Sequence, residues 1–437
     1  MSEHQALRIG VVGLGQCGGN FAAEFASLGY PALAVNTSQT DLRSARLDDG
    51  QRLYVGVDGI NGTGGAMAVG AESLATRGSE IVSAVAQWPE VEAVVAVGGL
   101  GGGTGACLAQ LVDLVAAGDL PVIAMAVLPA SSESHNAKVN ALQGINALLD
   151  VDFEALVVVD NQKVYAAFCN AGIDQFLHEG NRAVVSAFDE VNGLSGQGDL
   201  SSIRSFDPPE LRHTLLSGGA VVFGSRVIDD ALTPKSLVEA VRSAVTDHEY
   251  LGSGYDLEDA VVASAVLVGS ADVLADTPAT VFEDFTAELK NETGGADLHA
   301  GIYGGDVKSA RLHVMVGGLP LPRRTQELLD EAAREAERFS TKKAPRTKLE
   351  KLDLSGLAAL AGGRLAPPST GGKGMAKISP RSRTAPASEE SSPASEESPP
   401  LVDLDFDDDE PPLVEEELIH DDMITDDMTA VDEDEFR

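Results

Sequence analysis

A glycine-rich segment lies between an apolar run and an amphipathic stretch near residue 100. Residues 94–97 are Val-Val-Ala-Val, residues 98–105 read Gly-Gly-Leu-Gly-Gly-Gly-Thr-Gly, and residues 106–116 have helical spacing of their apolar positions. A glycine-rich turn between a buried strand and a helix lets backbone amides approach and bind a phosphate. The segment has no lysine, which excludes the P-loop pattern. The charge of a phosphate must therefore be met by amides, the helix dipole and a metal ion.

Apolar runs of strand length alternate with helical patterns over the first 194 residues. A continuous apolar run bounded by turns is typical of a strand that is buried on both faces of a parallel sheet. The alternation predicts a doubly wound α/β fold, in which ligands bind at the carboxyl ends of the strands. The five runs are residues 9–12, 32–35, 94–97, 122–127 and 156–159.

A second α/β region follows, and composition divides the chain into four parts. Residues 176–191 have the pattern of a central helix, and later apolar runs at 219–223, 260–267 and 312–316 are interleaved with helical patterns. The predicted parts are a nucleotide-binding domain with the central helix at 1–194, a smaller α/β domain at 195–320, a charged helix at 321–340, and a disordered linker with an acidic tail at 341–437.

Charge is distributed unevenly along the 437 residues. The formal net charge is −37, and residues 385–437 contain 21 acidic residues against one arginine. Residues 341–384 have the opposite sign, with ten basic residues and two acidic ones. A strongly anionic protein is repelled by polyanions, so nucleic acid and anionic membranes are not expected as direct partners.

The last part of the chain is predicted to be disordered. Its proline and serine clusters and charged blocks bury too little apolar area to offset the entropy of ordering. Short apolar islands at 401–406, 413–419 and 423–424 interrupt the acidic tail. Either these islands dock on an adaptor protein, or the segment is a solvated acidic tail.

The few cysteines and the lack of an apolar run long enough to span a membrane indicate the cellular compartment of the protein. Cys17, Cys107 and Cys169 are too few and too widely spaced for a disulfide framework or a zinc site, and no residue is assigned as a metal ligand. The first residues lack the pattern of a signal sequence, and no apolar run approaches the roughly 20 residues that span a bilayer. We expect a soluble protein of the reducing cytoplasm, without membrane insertion.

The first predicted strand ends in another glycine-rich turn. Gly13, Gly15 and Gly18 match the GxGxxG pattern, which makes an NAD-dependent oxidoreductase one alternative. Such an enzyme has an acid about 20 residues further on, at the end of the second strand, where this chain has Asn36. Two glycine-rich turns on one sheet fit a polyphosphate held from two sides better than a dinucleotide. A third turn, at residues 59–65, can close over the terminal phosphate.

These turns resemble those of the tubulin and FtsZ superfamily of GTP-dependent polymerising proteins. Overall length and spacing are closer to FtsZ-like prokaryotic members than to eukaryotic tubulin. The resemblance extends over about residues 7–320 and is most specific at the glycine-rich segment 98–105. It rests on Gly15-Gln16-Cys17-Gly18, Val35-Asn36-Thr37, residues 59–65 with Gly64, Gly101-Gly102-Gly103-Thr104-Gly105, and Asp160-Asn161.

The resemblance implies that the protein binds GTP or GDP together with Mg²⁺, and it implies site residues. Gly15, Gln16 and Cys17 would contact the α and β phosphates through their backbone amides, with Gly18 as a further nucleotide-binding residue of the same turn. Asn36 and Gly64 would lie in the flanking turns, and Gly101, Gly102, Gly103, Thr104 and Gly105 would bind the β and γ phosphates. Glu133 would bind the ribose, and Asn161 and Asn181 would contact the guanine. Two alternatives stay open, because Asn161 also fits a helix cap and Asn181 also fits a packing role inside a helix.

Ser205-Phe206-Asp207-Pro208-Pro209-Glu210 resembles the superfamily loop that completes hydrolysis on the nucleotide of the next subunit. The resemblance assigns Asp207 and Glu210 as catalytic carboxylates. The same residues also form a helix-start signature, with Asp207 as N-cap, Pro208 as the first helical residue and Glu210 as the capping-box acid. Ser205 replaces the family's asparagine, and the two prolines stiffen the loop.

Two functions follow from the resemblance. In the first, the protein is a GTP-binding cytoskeletal protein that polymerises head to tail with itself and hydrolyses GTP at the subunit contact, where the second domain acts as the activating domain. In the second, it is a GTP-binding filament or regulatory protein with weak or no hydrolysis, because the catalytic loop is degenerate. The acidic end of the chain departs from the short apolar and basic peptide of FtsZ, so a role in cell division is left open.

Overall fold

The structure is a computed structural model that describes residues 5–170, 172–194, 201–229 and 231–342. The predicted acidic tail and all but the first two residues of the predicted linker lie outside the described residues. Residues 195–200, which directly follow the predicted domain boundary, also lie outside the described residues.

Six strands of the first half form a parallel array. Each of the five predicted runs falls inside one of these strands. The sixth strand, which was not predicted, is the three-residue segment Arg52–Tyr54, and it pairs with the end of the second strand. The strands are β1 (Ile9–Leu14), β2 (Ala32–Asn36), β3 (Arg52–Tyr54), β4 (Ala93–Gly99), β5 (Val122–Leu128) and β6 (Ala155–Asp160).

Helices cover both faces of this array. Successive residues of β1 enter different cores: Val11 packs in one apolar cluster and Val12 in the other, and neither is exposed. This burial on both faces explains why the strands are apolar throughout. The connecting helices are α1 (Gly15–Ser27), α2 (Gln39–Ser44), α3 (Met67–Val85), α4 (Leu108–Ala116), α5 (His135–Leu148) and α6 (Asn161–Phe168).

The second half contributes strands of mixed direction. The predicted runs overlap three of them. The two that were not predicted are a polar edge strand and a strand that contains two glycines and a histidine. These two pair with each other in antiparallel fashion. The strands are β7 (Ser201–Arg204), β8 (Ala220–Ile228), β9 (Val262–Gly269), β10 (Asp297–Gly304) and β11 (Ala310–Leu319).

The helices of the second half include the two that the sequence predicts. The central helix is three residues longer at each end than its pattern, and the charged helix begins at Arg323. They are α7 (Ile173–Leu194), α8 (Pro208–Leu215), α9 (Pro234–Thr246), α10 (Ala271–Asp276), α11 (Ala279–Glu292) and α12 (Arg323–Lys342). Among the described residues no helix is both long and apolar enough to cross a membrane.

The strands form one sheet in the order β3-β2-β1-β4-β5-β6-β8-β11-β9-β10-β7. The two halves meet at β6 and β8, which are joined through the single parallel pair Leu156 and Ala220. The predicted α/β class with a parallel, doubly wound first half is confirmed. Because β1 and β4 to β6 are parallel, their carboxyl ends lie at one edge of the sheet, where the predicted turns follow them.

Candidate nucleotide site

A cavity of about 520 Å³ opens at the carboxyl ends of β1, β2, β4, β5 and β6. Its volume is within the range of about 300–1,000 Å³ that is typical of small-molecule sites. The edge where it opens is the one at which open α/β sheets bind ligands. The predicted site residues that line it are Gly15, Gln16, Cys17, Asn36, Gly64, Gly101, Gly102, Gly103, Thr104, Gly105, Glu133 and Asn161.

Close backbone packing shapes one end of the cavity. A Cβ atom at Gly105 would lie 2.3 Å from the carbonyl oxygen of Gly99, and one at Gly103 would lie 2.3 Å from Oγ1 of Thr63. Gly15 has a φ of +75°, a conformation that side chains rarely adopt. Only glycine allows these turns to pack against one another, and their amides are thereby brought to the cavity.

Two helical segments begin at this end. Helix α1 starts at Gly15 and the 3₁₀ turn that leads into α4 starts at Gly105; neither has a side-chain cap or an acid in its first turn. The first N–H groups of a helix have no partner within it and bear a partial positive charge. No lysine or arginine is among the described residues that line the cavity. An anion here would therefore be bound by backbone amides, together with the neutral side-chain donors of the lining, and not by a cationic side chain of these residues.

Buried amide and hydroxyl groups hold the turns together. Asn140, which is 5% exposed, donates from Nδ2 to the carbonyl oxygens of Gly65 at 3.0 Å and Gly101 at 3.3 Å. The hydroxyls of Thr37 and Thr104 are 2.9 Å apart. Asn140 was not predicted, although asparagine inside a helix is unfavourable and so signals a specific partner.

A carboxylate that was not predicted also lines the cavity. Asn36 accepts from the backbone N–H of Ser38 at 3.0 Å and donates from Nδ2 to Oδ2 of Asp41 at 3.4 Å. Ser38 caps α2 by accepting from the N–H of Asp41 at 3.2 Å. The spacing of a serine three residues before an acid is a helix-start signature, and it could have located Asp41.

The other end of the cavity is formed by the turns after β5 and β6. Glu133 lines it, and its Oε1 accepts from the backbone N–H of Ala130 at 2.8 Å. Asn161 lines it as the first residue of α6, while the N-cap of that helix is Asp160, whose Oδ1 accepts from the N–H of Gln162 at 3.0 Å. The alternative that Asn161 caps the helix is therefore wrong, since the neighbouring Asp160 does so, and Asn161 is among the residues that line the cavity.

The thiol of Cys17 stays protonated at this site. Desolvation raises the pKa of Cys17 to about 12, and the nearby charge of Glu133 adds to the shift. A thiol in this state is neither a thiolate nucleophile nor a metal ligand at neutral pH.

Two predicted ligand residues lie away from the cavity lining. Gly18 is buried in α1, where a Cβ atom would lie 2.4 Å from the carbonyl oxygen of Val97 in β4. Asn181 is half-buried in α7, beside Gly180, whose Cα faces Val164 of α6. The structure thus places Gly18 at a helix–strand contact and Asn181 near a helix–helix contact.

Asp207 and Glu210 also lie outside the cavity lining of their own chain. Oε2 of Glu210 accepts from the backbone N–H of Asp207 at 2.9 Å, which is the capping-box bond at the start of α8. Its Oε1 is 3.4 Å from Nδ1 of His299, and that ring is hydrogen-bonded to His213 at 3.0 Å. The helix-start role of this pair is therefore present in the structure.

The fold and the cavity define an α/β protein with a candidate ligand site at the carboxyl ends of its parallel strands, and comparisons with known proteins identify its family. The sequence matches the family model described as Tubulin/FtsZ family, GTPase domain, over residues 8–168. It also matches the model described as Tubulin/FtsZ-like protein TubZ-like, C-terminal domain, over residues 190–329.

Two relatives match over most of their length. The tubulin-like protein CetZ2 of Haloferax volcanii is 30% identical over 350 residues, which cover 75% of this chain and 92% of that protein. The tubulin-like protein TubZ of Bacillus cereus is 24% identical over 380 residues, covering 78% of this chain and 86% of that protein. The chain belongs to the tubulin/FtsZ family, as its motifs predict.

Solved structures agree with the fold. A GTPγS-form protofilament of TubZ from Bacillus thuringiensis serovar israelensis superposes with a TM-score of 0.66 at 20% identity, over 78% of this chain and 94% of that one. The GTPγS-bound protofilament of CetZ2 from Haloferax volcanii superposes with a TM-score of 0.63 at 24% identity, over 76% of this chain and all of that one.

Proposed function

We propose that this protein binds GTP and assembles head to tail into protofilaments, in which contact between subunits completes GTP hydrolysis. The observation that carries the proposal is the cavity, which the starts of two uncapped helical segments and two glycine-rich turns line together. Membership of the tubulin/FtsZ family supports it. So do the relatives CetZ2 and TubZ, which form protofilaments with GTPγS bound or in the GTPγS form.

The nucleotide spans two ends of the cavity. At the phosphate end, which we define as residues 15–17 and 101–105, amides and helix dipoles bind the phosphates. At the base end, which we define as Glu133 and Asn161, the carboxylate accepts from the ribose hydroxyls and the amide reads the guanine edge, because it offers both a donor and an acceptor. Asn36 and Asp41 line the wall between the turns after β2 and β4.

A Mg²⁺ ion bound with the nucleotide supplies positive charge that offsets the phosphates. The donor set fits an ion that arrives with GTP, because Asp41 and Glu133 are carboxylates on the cavity wall and Mg²⁺ prefers oxygen ligands. The described residues contain no group of three or more histidine, cysteine or acidic side chains that could hold a metal ion. The ligands that the protein itself would give to the ion are then limited to these carboxylates and to neighbouring hydroxyl groups.

Asp207 and Glu210 act on the nucleotide of the next subunit. They do not line their own cavity, and their spacing of three residues at the start of α8 lets both face one direction. In a head-to-tail contact they orient and polarise the attacking water. Because such a contact is heterologous, it generates an open filament, and hydrolysis requires assembly.

One observation favours a second function, in which the protein forms filaments but hydrolyses GTP weakly. The carboxylate of Glu210 is already held by the N–H of Asp207 and faces His299. A carboxylate that keeps these partners has less capacity to hold a water.

The test follows phosphate release and light scattering together over a series of protein concentrations. Specific activity that rises with scattering above a threshold concentration is the expected result. Scattering that rises with GTP while phosphate release stays flat would favour the second function. If neither signal responds to GTP, the proposal is overturned.

The carboxylates are tested by Asp207→Ala and Glu210→Ala. Each is expected to lower turnover by about 100-fold or more, the loss typical of removing an electrostatic catalytic group, and to leave GTP binding unchanged. The matched control is Gln51→Ala, because Oε1 of Gln51 makes the same capping bond to the N–H of Asp48, at 3.1 Å. If all three variants turn over GTP alike, Asp207 and Glu210 are caps only.

We also propose that the protein works in the cytoplasm. Cys17, Cys107 and Cys169 are free thiols, which fits a reducing compartment. Self-association is the partner contact on which the function depends, and an adaptor that binds the acidic tail would add to it.

A further inference from the structure

Helix α12 belongs to the second half by sequence but packs on the first. It follows β11 directly, yet it lies along α5, and Leu328 has no exposed surface in the apolar cluster that contains residues of β4 and β5. The helix therefore reaches the face of the sheet whose edge carries the candidate site.

The first turn of α12 places a buried guanidinium behind the base end. Arg324 is 5% exposed, and its Nη1 is 2.8 Å from Oε1 of Glu331 on the same helix. Its Nε is 3.4 Å from Oδ1 of Asp160, and its Nη2 donates to the carbonyl oxygen of Pro129 at 3.4 Å. One side chain thus links α12 to the N-cap of α6 and to the turn after β5.

Glu331 adds a second link between the same elements. Its Oε1 accepts from the hydroxyl of Ser131 at 2.8 Å, and the backbone N–H of Ser131 donates to Oε1 of Gln162 at 2.9 Å. Ser131 lies two residues before Glu133, and Gln162 follows Asn161. The two base-end turns are therefore bonded to each other and to α12.

Charge pairing makes Arg324 difficult to replace. Asp160 is 2% exposed, and a buried carboxylate without a partner is strongly unfavourable. Burial raises the pKa of Asp160, and the charge of Arg324 is the leading effect that opposes the rise. The planar guanidinium also contacts three groups at once, which a lysine ammonium on a flexible stem does not reproduce.

We propose that Arg324 is a positioning residue for the base end: it fixes the spacing between Asn161 and Glu133, and α12 thereby sets the affinity for the nucleoside part of the ligand. This inference rests on the proposed function, because it assumes that the cavity binds a guanine nucleotide. It also means that a mutation of Arg324 should change binding at the base end and leave binding at the phosphate end unchanged, since Arg324 does not contact the phosphate end.

The experiment measures binding of GTP and of inorganic triphosphate to the full chain, by competition with a fluorescent GTP derivative. Arg324→Gln is expected to weaken GTP binding by about tenfold, equivalent to about 1.4 kcal/mol, and to change triphosphate binding by less than about twofold. The matched control is Arg323→Gln, the preceding residue, whose side chain is 70% exposed in a surface pair with Glu327. It should bind both ligands like wild type.

The ratio of the two affinities separates positioning from a loss of folded protein. If Arg324→Gln weakens both ligands equally, or leaves GTP binding unchanged, the proposal is overturned. Arg324→Lys is expected to restore only part of the ratio. Should Arg324→Gln fail to fold, Glu331→Ala removes the acceptor of the Ser131 hydroxyl while Asp160 keeps its partner Arg324, and an unchanged ratio in that variant overturns the proposal. A wild-type protein that binds triphosphate but not GTP, or neither, contradicts the proposed function instead.

Discussion

The two ends of the cavity are built from different materials. The phosphate end uses the backbone of short local turns, and its geometry depends on glycines that pack against neighbouring backbone. The base end is supported by buried ion pairs between distant parts of the chain: Arg324 and Asp160 are 164 residues apart, and Lys138 and Glu335 are 197 apart. Substitutions that add volume should therefore disturb the phosphate end most, and substitutions that remove a charge should disturb the base end most.

The largest expected effect is a loss of stability at the base end. Lys138 is 1% exposed, donates to the carbonyl oxygen of Ser131 at 2.7 Å and pairs with Glu335. Lys138→Met takes away the buried ammonium that pairs with Glu335 and Glu331, so the part-buried carboxylate of Glu335, which also lies 3.6 Å from Nδ1 of His135, loses its main compensating charge. We expect a loss of about 3 kcal/mol in the free energy of unfolding, measured by urea denaturation. Adding Glu335→Gln should recover part of that loss, because the double variant no longer contains the uncompensated charge. A double variant that is less stable than the sum of its single changes would contradict this account.

A substitution that adds a methyl group tests the close packing of the phosphate end. Gly105→Ala places a methyl group 2.3 Å from the carbonyl oxygen of Gly99, so the turn must move. Overpacking of this kind costs about 1–3 kcal/mol, and we expect GTP affinity to fall by about 100-fold because the amides shift with the turn. The measurement is equilibrium binding of a fluorescent GTP derivative. Gly50→Ala is the control, since a Cβ atom there has nothing within 4 Å; equal binding by both variants would show that the close packing is irrelevant.

A smaller effect is expected where one side chain connects two turns of the cavity. Asn140→Ala removes both hydrogen bonds from Nδ2, so the part-buried carbonyl oxygen of Gly101 loses this donor and that of Gly65 keeps its bond from Asn136. We expect a loss of about 2 kcal/mol in stability, with GTP affinity reduced by several fold. Asn136→Ala is the matched control, because exposed Asn136 makes one bond of 3.3 Å to the same Gly65 carbonyl. Similar losses in the two variants would count against a bridging role for Asn140.

The contrast between the ends explains what the sequence predicted. The strands before the phosphate end are continuous apolar runs and its turns are rich in glycine. The residue pattern within a few positions was therefore enough to predict these strands and turns. Arg324 had no local signal, because its function depends on Asp160 and Pro129, which reach it only through the path of α12.

Other differences have local physical reasons. Edge strand β7 and its neighbour β10 were missed because their polar and small residues lack the continuous apolar pattern of a strand buried on both faces. Asn181 was placed by resemblance alone, and the structure has it on α7, outside the cavity lining. Asn161 came from the same resemblance, and there Asp160 provides the helix cap while Asn161 lines the cavity.

The smallest expected effect concerns pH and again involves the support of β6. His248 is 4% exposed; its Nε2 donates to the carbonyl oxygen of Phe223 at 2.7 Å, and its Nδ1 accepts from the N–H groups of Tyr250 and Leu251. The carbonyl of Tyr250 in turn accepts from the N–H of Asp160 at 2.9 Å. The neutral imidazole thus orders the segment that abuts the end of β6.

Burial lowers the pKa of His248 from 6.5 to about 3, because a charged ring would be desolvated and would lose its acceptor nitrogen. The unfolded chain takes up this proton near pH 6.5 and the folded chain does not, so the contribution of His248 to stability is complete above pH 6.5 and declines as the pH falls toward 3. The stability difference between wild type and His248→Gln should therefore shrink by about 1 kcal/mol between pH 6.5 and about pH 5.5, in urea denaturation at each pH. His213→Gln removes an exposed imidazole and serves as the control. A difference that stays constant with pH would mean that His248 is protonated equally in the folded and unfolded chains, and that the base end has no acid-sensitive support on this side.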